Sequence, residues 1–338
     1  MKPNINSIDQ MQNGLHTLIV VCGDLKPNEK GLVVVDCDTI QIGKLLVEYA
    51  HSLDLDLILE EVPRTEIHGI EPPKYVGKMF PKFDLVMGLT TMSMAHTNAR
   101  LSASQHGTRY LSLPDYNTNV LTSNALQFNF RSLSRLCFEL AERLTNSTEL
   151  HLRSTSGSDF RCKLNGRRGN PAPGWCYDRG TLASPPDAET NIAPIEQSSE
   201  GYLVVDGSIP CDQLGVLNEP IRLTIKNGKV VAIEGGEAKL LNDIFASVGD
   251  DKAKVVAEIG IGLNPRAEIR GSMLEDEGSA GTAHVGIGAN STIGGVNGVP
   301  FHLDHIIREV SIDLDGVPVL IKGKLIDQIS QLAPDLDL

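Results

Sequence analysis

The sequence predicts two domains: an α/β domain with a parallel sheet over residues 1–147, and a β-rich α+β domain over residues 148–338. Three observations lead to this fold class. Short apolar runs alternate with amphipathic stretches in the first half. Hairpin signals and glycines are frequent in the second half. The length of 338 residues also exceeds what a single hydrophobic core usually serves.

In the first half, short apolar runs have the length and residue types of buried strands, and they lie at 16–23, 31–36, 56–62, 83–89 and 108–114. Helical spacing of apolar residues occurs between or after them, at 40–53, 93–105 and 123–145. Strands that alternate with helices predict a parallel sheet, because parallel neighbours need a crossover connection.

In the second half, two dipeptides predict tight hairpins: Asn227-Gly228 and Asp315-Gly316. A helix is expected over 238–248 and a buried strand at KVVAEIGIG, residues 254–262. Residues 165–190 are rich in glycine and proline and lack periodicity, which predicts a long loop. Long loops in compact domains are often functional.

Composition limits the possible partners. A net charge of −13 and a pI near 5.1 oppose nonspecific binding to nucleic acid or to an anionic membrane surface. There is no apolar run of about 18 residues. The N-terminal residues do not have the pattern of a signal peptide, and the six cysteines are scattered, so we expect a cytoplasmic protein with reduced thiols.

Metal-ligating residue types recur between residues 256 and 310. His302 and Asp304 are two apart on an extended segment and therefore share one face, although a surface histidine near an aspartate is common. Glu258 lies among apolar residues and glycines, where an ionised carboxylate is costly unless it is paired, coordinated or turned outward. His284 has similar neighbours and is either a ligand or a core histidine.

Two other groups of residues have simpler interpretations. Asp36 and Asp38 follow a predicted strand, where aspartates usually cap the next helix rather than bind a metal or a phosphate. The arginines near the 165–190 loop either form a solvated basic patch or bind a substrate carboxylate; they are Arg153, Arg161, Arg167 and Arg168.

Three segments, AEIGIGLNP, LEDEGSAGTAHVGIG and FHLDHII, resemble in order and spacing the metal-site blocks of the M29 family, aminopeptidases T and S. DAETNIAPIEQSSEGYLVVDG resembles a fourth, glutamate-containing block, and MAHTNARLSASQHGTRYLSLP a block of the N-terminal domain. The resemblance covers most of the chain.

The resemblance implies a catalytic domain with two divalent cations that share Glu258. Glu189 and His284 would complete one site, and His302 and Asp304 the other. Such ligands suit zinc, cobalt, manganese or iron. Glu277 would be the general base, unless the acids of LEDEG form a solvated turn. The implied enzyme is a homodimeric metal-dependent hydrolase that cleaves a small amide or a short peptide.

Two departures from the aminopeptidase pattern bear on the substrate. Ser291 stands where the family usually has a tyrosine, and the chain is shorter than a typical aminopeptidase, so the substrate need not be a peptide. A non-catalytic binding module is a further alternative, which bound metal and turnover would test.

A second enzyme class fits the same scaffold. LHLRSTSGSDF resembles a segment of its short relatives, the mononuclear iron(II) enzymes similar to 2,5-dihydroxypyridine 5,6-dioxygenase. In those relatives a histidine takes the place of Glu258 and forms a two-histidine, one-carboxylate triad. Because Glu258 and His284 are both present here, we expect the hydrolase and keep the dioxygenase as the alternative.

Overall fold

The structure is a computed structural model, and it describes residues 5–334 and residue 336. Its strands are β1 (Lys30–Val35), β2 (Asp56–Glu61), β3 (Leu85–Leu89), β4 (Arg109–Ser112), β5 (Glu149–Ser154), β6 (Asp159–Lys163), β7 (Asn170–Ala172), β8 (Leu182–Ala183), β9 (Glu189–Ile192), β10 (Glu200–Val205), β11 (Ser208–Ile209), β12 (Gly215–Val216), β13 (Ile221–Lys226), β14 (Lys229–Gly235), β15 (Val256–Gly262), β16 (Ala283–Gly288), β17 (His302–Ile307), β18 (Val310–Leu314), β19 (Val317–Ile321) and β20 (Lys324–Leu325).

The α-helices are α1 (Ile5–His16), α2 (Ile40–Ser52), α3 (Lys74–Gly77), α4 (Asn98–Gln105), α5 (Thr118–Leu121), α6 (Ser134–Asn146), α7 (Ala238–Ser247), α8 (Met273–Glu277) and α9 (Asp327–Ser330). A π-helix spans Thr17–Cys22, and 3₁₀ turns lie at Phe80–Lys82, Asn124–Leu126, Phe130–Leu133 and Asp251–Lys254. None of the helices described is long and apolar enough to cross a membrane.

The chain divides into two compact units, each made of two segments. The first unit is Met1–Arg131 with Gly174–Pro186, and the second is Ser132–Pro173 with Asp187–Leu338. The predicted domains, residues 1–147 and 148–338, are continuous segments, and their boundary stays a prediction.

The first unit contains a five-stranded parallel sheet in the order β2-β1-β3-β4-β8. Its central strands are the apolar runs of the sequence, and all five residues of β3 are buried. The predicted α/β class with a parallel sheet is therefore confirmed. Burial on both faces is expected for such strands, since helices cover a parallel sheet on its two sides.

Three predicted elements of the first half differ from the structure. Residues 16–23 are not a strand, because Thr17–Cys22 continues α1 as a buried π-helix. A short apolar run has no periodicity that separates a strand from a buried helix. The second predicted helix begins only at Asn98, where Thr97 accepts a hydrogen bond from the Arg100 amide as its cap. The predicted helix 123–145 is two 3₁₀ turns followed by α6.

The second unit is β-rich, as predicted. It has an eight-stranded sheet in the order β14-β13-β10-β6-β5-β18-β19-β20, a five-stranded sheet in the order β17-β16-β15-β9-β7, and the pair β11-β12. Both predicted hairpins form, and their turn residues have the positive φ angles of a two-residue turn: +49° at Asn227 and +73° at Gly228, +49° at Asp315 and +81° at Gly316. The stretch 165–190 holds β7, β8 and the start of β9.

Candidate metal centre

The five proposed metal ligands lie on four neighbouring strands of the five-stranded sheet in the second unit: Glu189 on β9, Glu258 on β15, His284 on β16, and His302 and Asp304 on β17. Their ligand atoms form two groups, within each of which all atoms lie within 4.8 Å of one another. The first ligand group is Glu189, Glu258 and His284, and the second is Glu258, His302 and Asp304. The sheet thus brings all five together around the shared Glu258.

Glycines on the adjacent strands make room for these side chains. Gly260 is the register partner of His284, and Gly286 is the partner of both Glu258 and Asp304. A Cβ atom on Gly260 would lie 2.0 Å from Cε1 of His284, and one on Gly286 would lie 2.6 Å from Cε1 of His302. Such distances are far inside van der Waals contact. The glycines of β15 and β16 are therefore needed for side chains to lie across the sheet.

The two imidazoles point their Nε2 atoms at carboxylates. His284 Nε2 is 3.1 Å from Glu189 Oε2, and His302 Nε2 is 3.3 Å both from Glu258 Oε2 and from Asp304 Oδ1. His302 Nδ1 lies 2.8 Å from the Ala289 carbonyl oxygen, an acceptor, so Nδ1 carries the proton. Nε2 of the neutral ring then faces the second ligand group with its lone pair, as metal-binding histidines do.

The centre carries an excess of buried negative charge. Burial raises the pKa of Glu258, and the neighbouring Glu189 raises it further. Burial lowers the pKa of His284, but Glu189, Asp304 and Glu258 outweigh it and raise that pKa to about 10. A centre that draws protons onto its groups in this way is suited to cations, and carboxylate with imidazole is a donor set for divalent metals.

An unpaired buried atom gives a second indication of the same kind. Among the residues described, His284 Nδ1 is buried without a hydrogen-bond partner. Buried polar atoms normally have one. The residues present therefore fit a metal ion, while their assignment as ligands stays a prediction.

Glu277 lies at the last position of α8 beside this centre. Its Oε1 atom is buried and has no hydrogen-bond partner among the described residues. Burial, then the charges of Asp304 and Asp187, raise the pKa of Glu277 well above the usual value, and its carboxyl shares a hydrogen bond with Asp304. Glu277 is thus placed to hold a proton next to a proposed ligand, and its role as a base stays a prediction.

The two acids before Glu277 are buried and do not form a solvated turn. Asp276 accepts hydrogen bonds from the Arg270 and Gly271 amides, at 2.7 and 2.8 Å, and from the Ser208 hydroxyl at 2.5 Å. These bonds give Asp276 a structural role.

Sequence reasoning missed two residues of the centre. Asp187 is buried, with its Oδ1 atom unpartnered among the described residues. Asn191 donates to Glu189 Oε1 at 2.7 Å, and Asn170 donates in turn to Asn191 Oδ1 at 3.0 Å. The alternation of a strand places residues 189 and 191 on one face, a signal that could have identified Asn191.

Three of the four arginines near the 165–190 loop are engaged elsewhere. Arg167 bonds to Glu196 at 2.5 Å and also donates to the Gly294 carbonyl. Arg153 pairs with Asp313, and Arg161 pairs with Glu149 at 3.0 Å. These three do not converge on a common ligand. Ser291 is exposed on the segment between β16 and β17.

Comparison with known proteins gives one family match. The model of the NicX family, 2,5-dihydroxypyridine 5,6-dioxygenase, matches residues 53–327. A curated 2,5-dihydroxypyridine 5,6-dioxygenase of Pseudomonas putida (strain KT2440) is 31% identical over 194 residues, which are 54% of this chain and 55% of the relative. The chain thus matches about half the length of that relative.

Two solved structures share the fold. The structure of 2,5-dihydroxypyridine dioxygenase from Pseudomonas putida KT2440 superposes with a TM-score of 0.81 at 24% identity, covering 96% of this chain and 99% of that one. Wild-type AmpT from Thermus thermophilus superposes with a TM-score of 0.69 at 14% identity, covering 94% and 99%. At these identities the likeness concerns the fold, so the relation to M29 aminopeptidases is structural.

The expected hydrolase, with its aminopeptidase activity, is wrong, because the matching family is one of dioxygenases. That expectation depended on Glu258 and His284, which complete a binuclear ligand set. Carboxylate and imidazole donors hold zinc, manganese and iron(II) alike, so they do not select hydrolysis over reaction with oxygen.

Proposed function

The chain belongs to the NicX family of 2,5-dihydroxypyridine 5,6-dioxygenases, and we propose from this membership that it is a metal-dependent dioxygenase that opens a dihydroxypyridine or a closely similar hydroxylated ring. The observation that carries the proposal is the family match over residues 53–327. This range includes all five proposed ligands and Glu277. A small-molecule substrate fits this family.

The second ligand group is our candidate for the catalytic ion, with iron(II) as the metal. When bound, iron(II) supplies the electrons through which dioxygen can react with an organic ring. Glu258, His302 and Asp304 would hold it through one imidazole and two carboxylates. The hydrogen bond from His302 Nδ1 to the Ala289 carbonyl keeps that ring oriented. His302 has the most exposed side chain of the five, with 30% of its surface accessible. Substrate would therefore approach the centre from the direction of His302.

We propose that Glu277 moves a proton. A dihydroxypyridine becomes more electron-rich when it loses a hydroxyl proton, and a group must accept that proton. Glu277 has its raised pKa and its bond to Asp304 at the edge of the ligand groups. Once a cation lies nearby, the pKa of Glu277 falls and the carboxylate becomes available as a base.

Two ions per chain remain our proposal for the metal count. The first ligand group has the same donor types as the second, and Glu258 belongs to both. Four carboxyl groups of the centre are buried, namely Asp187, Glu189, Glu258 and Asp304. Burial and neighbouring acids raise the pKa of Asp187 and of Glu258, so more than one cation would favour the ionised form of all four groups. Titration with manganese(II), followed by elemental analysis, gives the count. One equivalent per chain would contradict the second ion and leave the dioxygenase proposal intact.

Oxygen-dependent turnover tests the function. Purified protein is loaded with iron(II) without air, mixed with 2,5-dihydroxypyridine, and followed by ring absorbance before and after air enters. We expect loss of absorbance only with both iron(II) and air. Asp304→Ala should abolish it, whereas Asp212→Ala, at an exposed acid, should not. No absorbance change in air, or full activity in Asp304→Ala, would refute the proposal.

Two predictions from the sequence accompany this function. A homodimer is proposed, and light scattering of the purified protein measures it. A cytoplasmic location is proposed as well, and fractionation of cells that produce the protein tests it.

A further inference from the structure

A cavity of about 240 Å³ lies in the first unit, at the carboxyl ends of its parallel strands. Asp36 follows β1, Val62 follows β2, and Thr90 follows β3, and all three line it. In the strand order β2-β1-β3-β4, the chain passes from β1 to β2 on one side of the sheet, and later from β3 to β4 on the opposite side. Such a switch point opens a crevice, and ligands of open α/β sheets bind there.

The walls of the cavity are mostly apolar. Pro63, Pro72, Ile70, Met92 and Met94 supply much of the lining. A cavity of roughly 150 Å³ is known to hold benzene, so the space here suits one ring with a substituent. Two methionines favour an aromatic occupant, because the thioether makes attractive contacts with ring edges and adapts its shape.

The polar lining of the cavity is acidic. Its charged residues are Asp36 and Glu71, and the described residues that line it include no lysine, arginine or histidine. Asp36 Oδ2 accepts from the Thr91 amide at 2.6 Å. Burial raises the pKa of Asp36, but hydrogen bonds from Thr91 and Thr39 outweigh it and keep the pKa below the usual value. Both acids therefore favour neutral or cationic occupants over anions.

Glu71 is fixed by the helix beside the cavity. Its two oxygens accept from the Asn98 and Ala99 amides at the start of α4, at 2.5 and 3.1 Å. These bonds tie Glu71, which lines the cavity, to the start of α4.

We propose that this cavity is a second binding site, which takes a single aromatic ring that is neutral or positively charged and carries an O–H or N–H donor. The apolar walls receive the ring, and the Asp36 and Thr90 end faces the donor. All the residues that line the cavity belong to the first unit, whereas the proposed metal ligands belong to the second, and the binding proposed here goes beyond the proposed dioxygenase activity.

Methyl resonances of the methionines report binding directly. Protein labelled with ¹³C at the methionine methyl groups is titrated with benzyl alcohol, benzylamine and benzoate, which share a ring and differ in charge. We expect saturable shifts of the Met92 and Met94 methyls with the first two probes, and at least about ten-fold weaker binding of benzoate. Met87, in the core of β3, and Met273, in the second unit, should not shift.

A matched pair of variants locates the probe. Ile70→Trp places a large side chain in the lining, whereas Ile67→Trp does so at a neighbouring residue that is 62% exposed and does not line the cavity. We expect at least about ten-fold weaker benzyl alcohol binding in Ile70→Trp and no change in Ile67→Trp. The proposal is overturned if neither favoured probe gives saturable shifts, if benzoate binds equally well, or if Ile70→Trp binds as the wild type does.

Discussion

Gly260→Ala adds one methyl group at the point where the two strands β15 and β16 bring the first ligand group together. The new Cβ would lie 2.0 Å from Cε1 and 2.1 Å from Nε2 of His284, and 2.7 Å from Glu189 Oε2. A Cβ essentially never lies closer than 3.0 Å to another heavy atom, and its ordinary contacts lie at 3.4–4 Å, so the His284 ring must move away by more than about 1 Å. The centre cannot keep its present geometry.

The size of the effect follows from that displacement. Overpacking a well-packed interior costs about 1–3 kcal/mol of unfolding free energy. Disturbing the orientation of a ligand typically weakens metal binding by about 10–100-fold. We therefore expect both losses in Gly260→Ala, with the loss of metal affinity concentrated in the first ligand group.

Equilibrium dialysis against manganese(II), with elemental analysis of both sides, measures the affinity, and urea unfolding measures the stability. Gly298→Ala is the matched control, because a Cβ there meets nothing within 4 Å and its φ is ordinary. Unchanged manganese binding in Gly260→Ala would show that the glycine does not define the centre. An equal loss in Gly298→Ala would show that any alanine in this unit disturbs it.

Three further predictions concern the ligands and their supports. Glu258→Gln should lose manganese from both ligand groups, since this carboxylate belongs to each, and full occupancy by elemental analysis would refute the sharing. Asn191→Leu removes the donor to Glu189 and should weaken manganese binding by about 10–100-fold in dialysis, whereas Asn242→Leu, at an exposed asparagine of α7, should not. Burial lowers the pKa of His305 to about 4, below the value of about 6.5 that it has in the unfolded chain. The neutral His305 side chain therefore contributes fully to the free energy of unfolding above about pH 6.5, and this contribution is lost as the pH falls towards 4. Urea unfolding at about pH 7 and about pH 4.5 measures how much unfolding free energy is lost between these pH values. We expect the loss to be larger by about 2 kcal/mol in the wild type than in His305→Phe, and equal losses would contradict this prediction.

Local patterns in the sequence were enough to predict much of the fold. Asn227-Gly228 and Asp315-Gly316 specify their turns directly, because few residues adopt positive φ there. The run Thr17–Cys22 was misread, since its five consecutive apolar residues after Thr17 satisfy a buried strand and a buried helix equally well. Its helical conformation depends on α1, which precedes it, and on tertiary packing, which a local sequence pattern does not contain.

The candidate centre could be predicted for a similar reason. A carboxylate and an imidazole within glycine-rich apolar strands, Glu258 and His284, have few uses other than coordination or pairing. The support from Asn191 was not predicted, because an asparagine in a strand has many possible partners until the register is known. The reaction class could not be predicted either, since the same donors serve hydrolysis and oxygen chemistry.

Incorporation of labelled dioxygen tests the proposed function most directly. Iron(II)-loaded protein is allowed to turn over 2,5-dihydroxypyridine under ¹⁸O₂, and the quenched product is examined by mass spectrometry. Because a dioxygenase breaks one ring bond and transfers both oxygen atoms to the product, we predict a ring-opened product that carries two ¹⁸O atoms. An unlabelled product formed with oxygen from water, or an unaltered ring after prolonged incubation with iron(II) and ¹⁸O₂, would contradict the account.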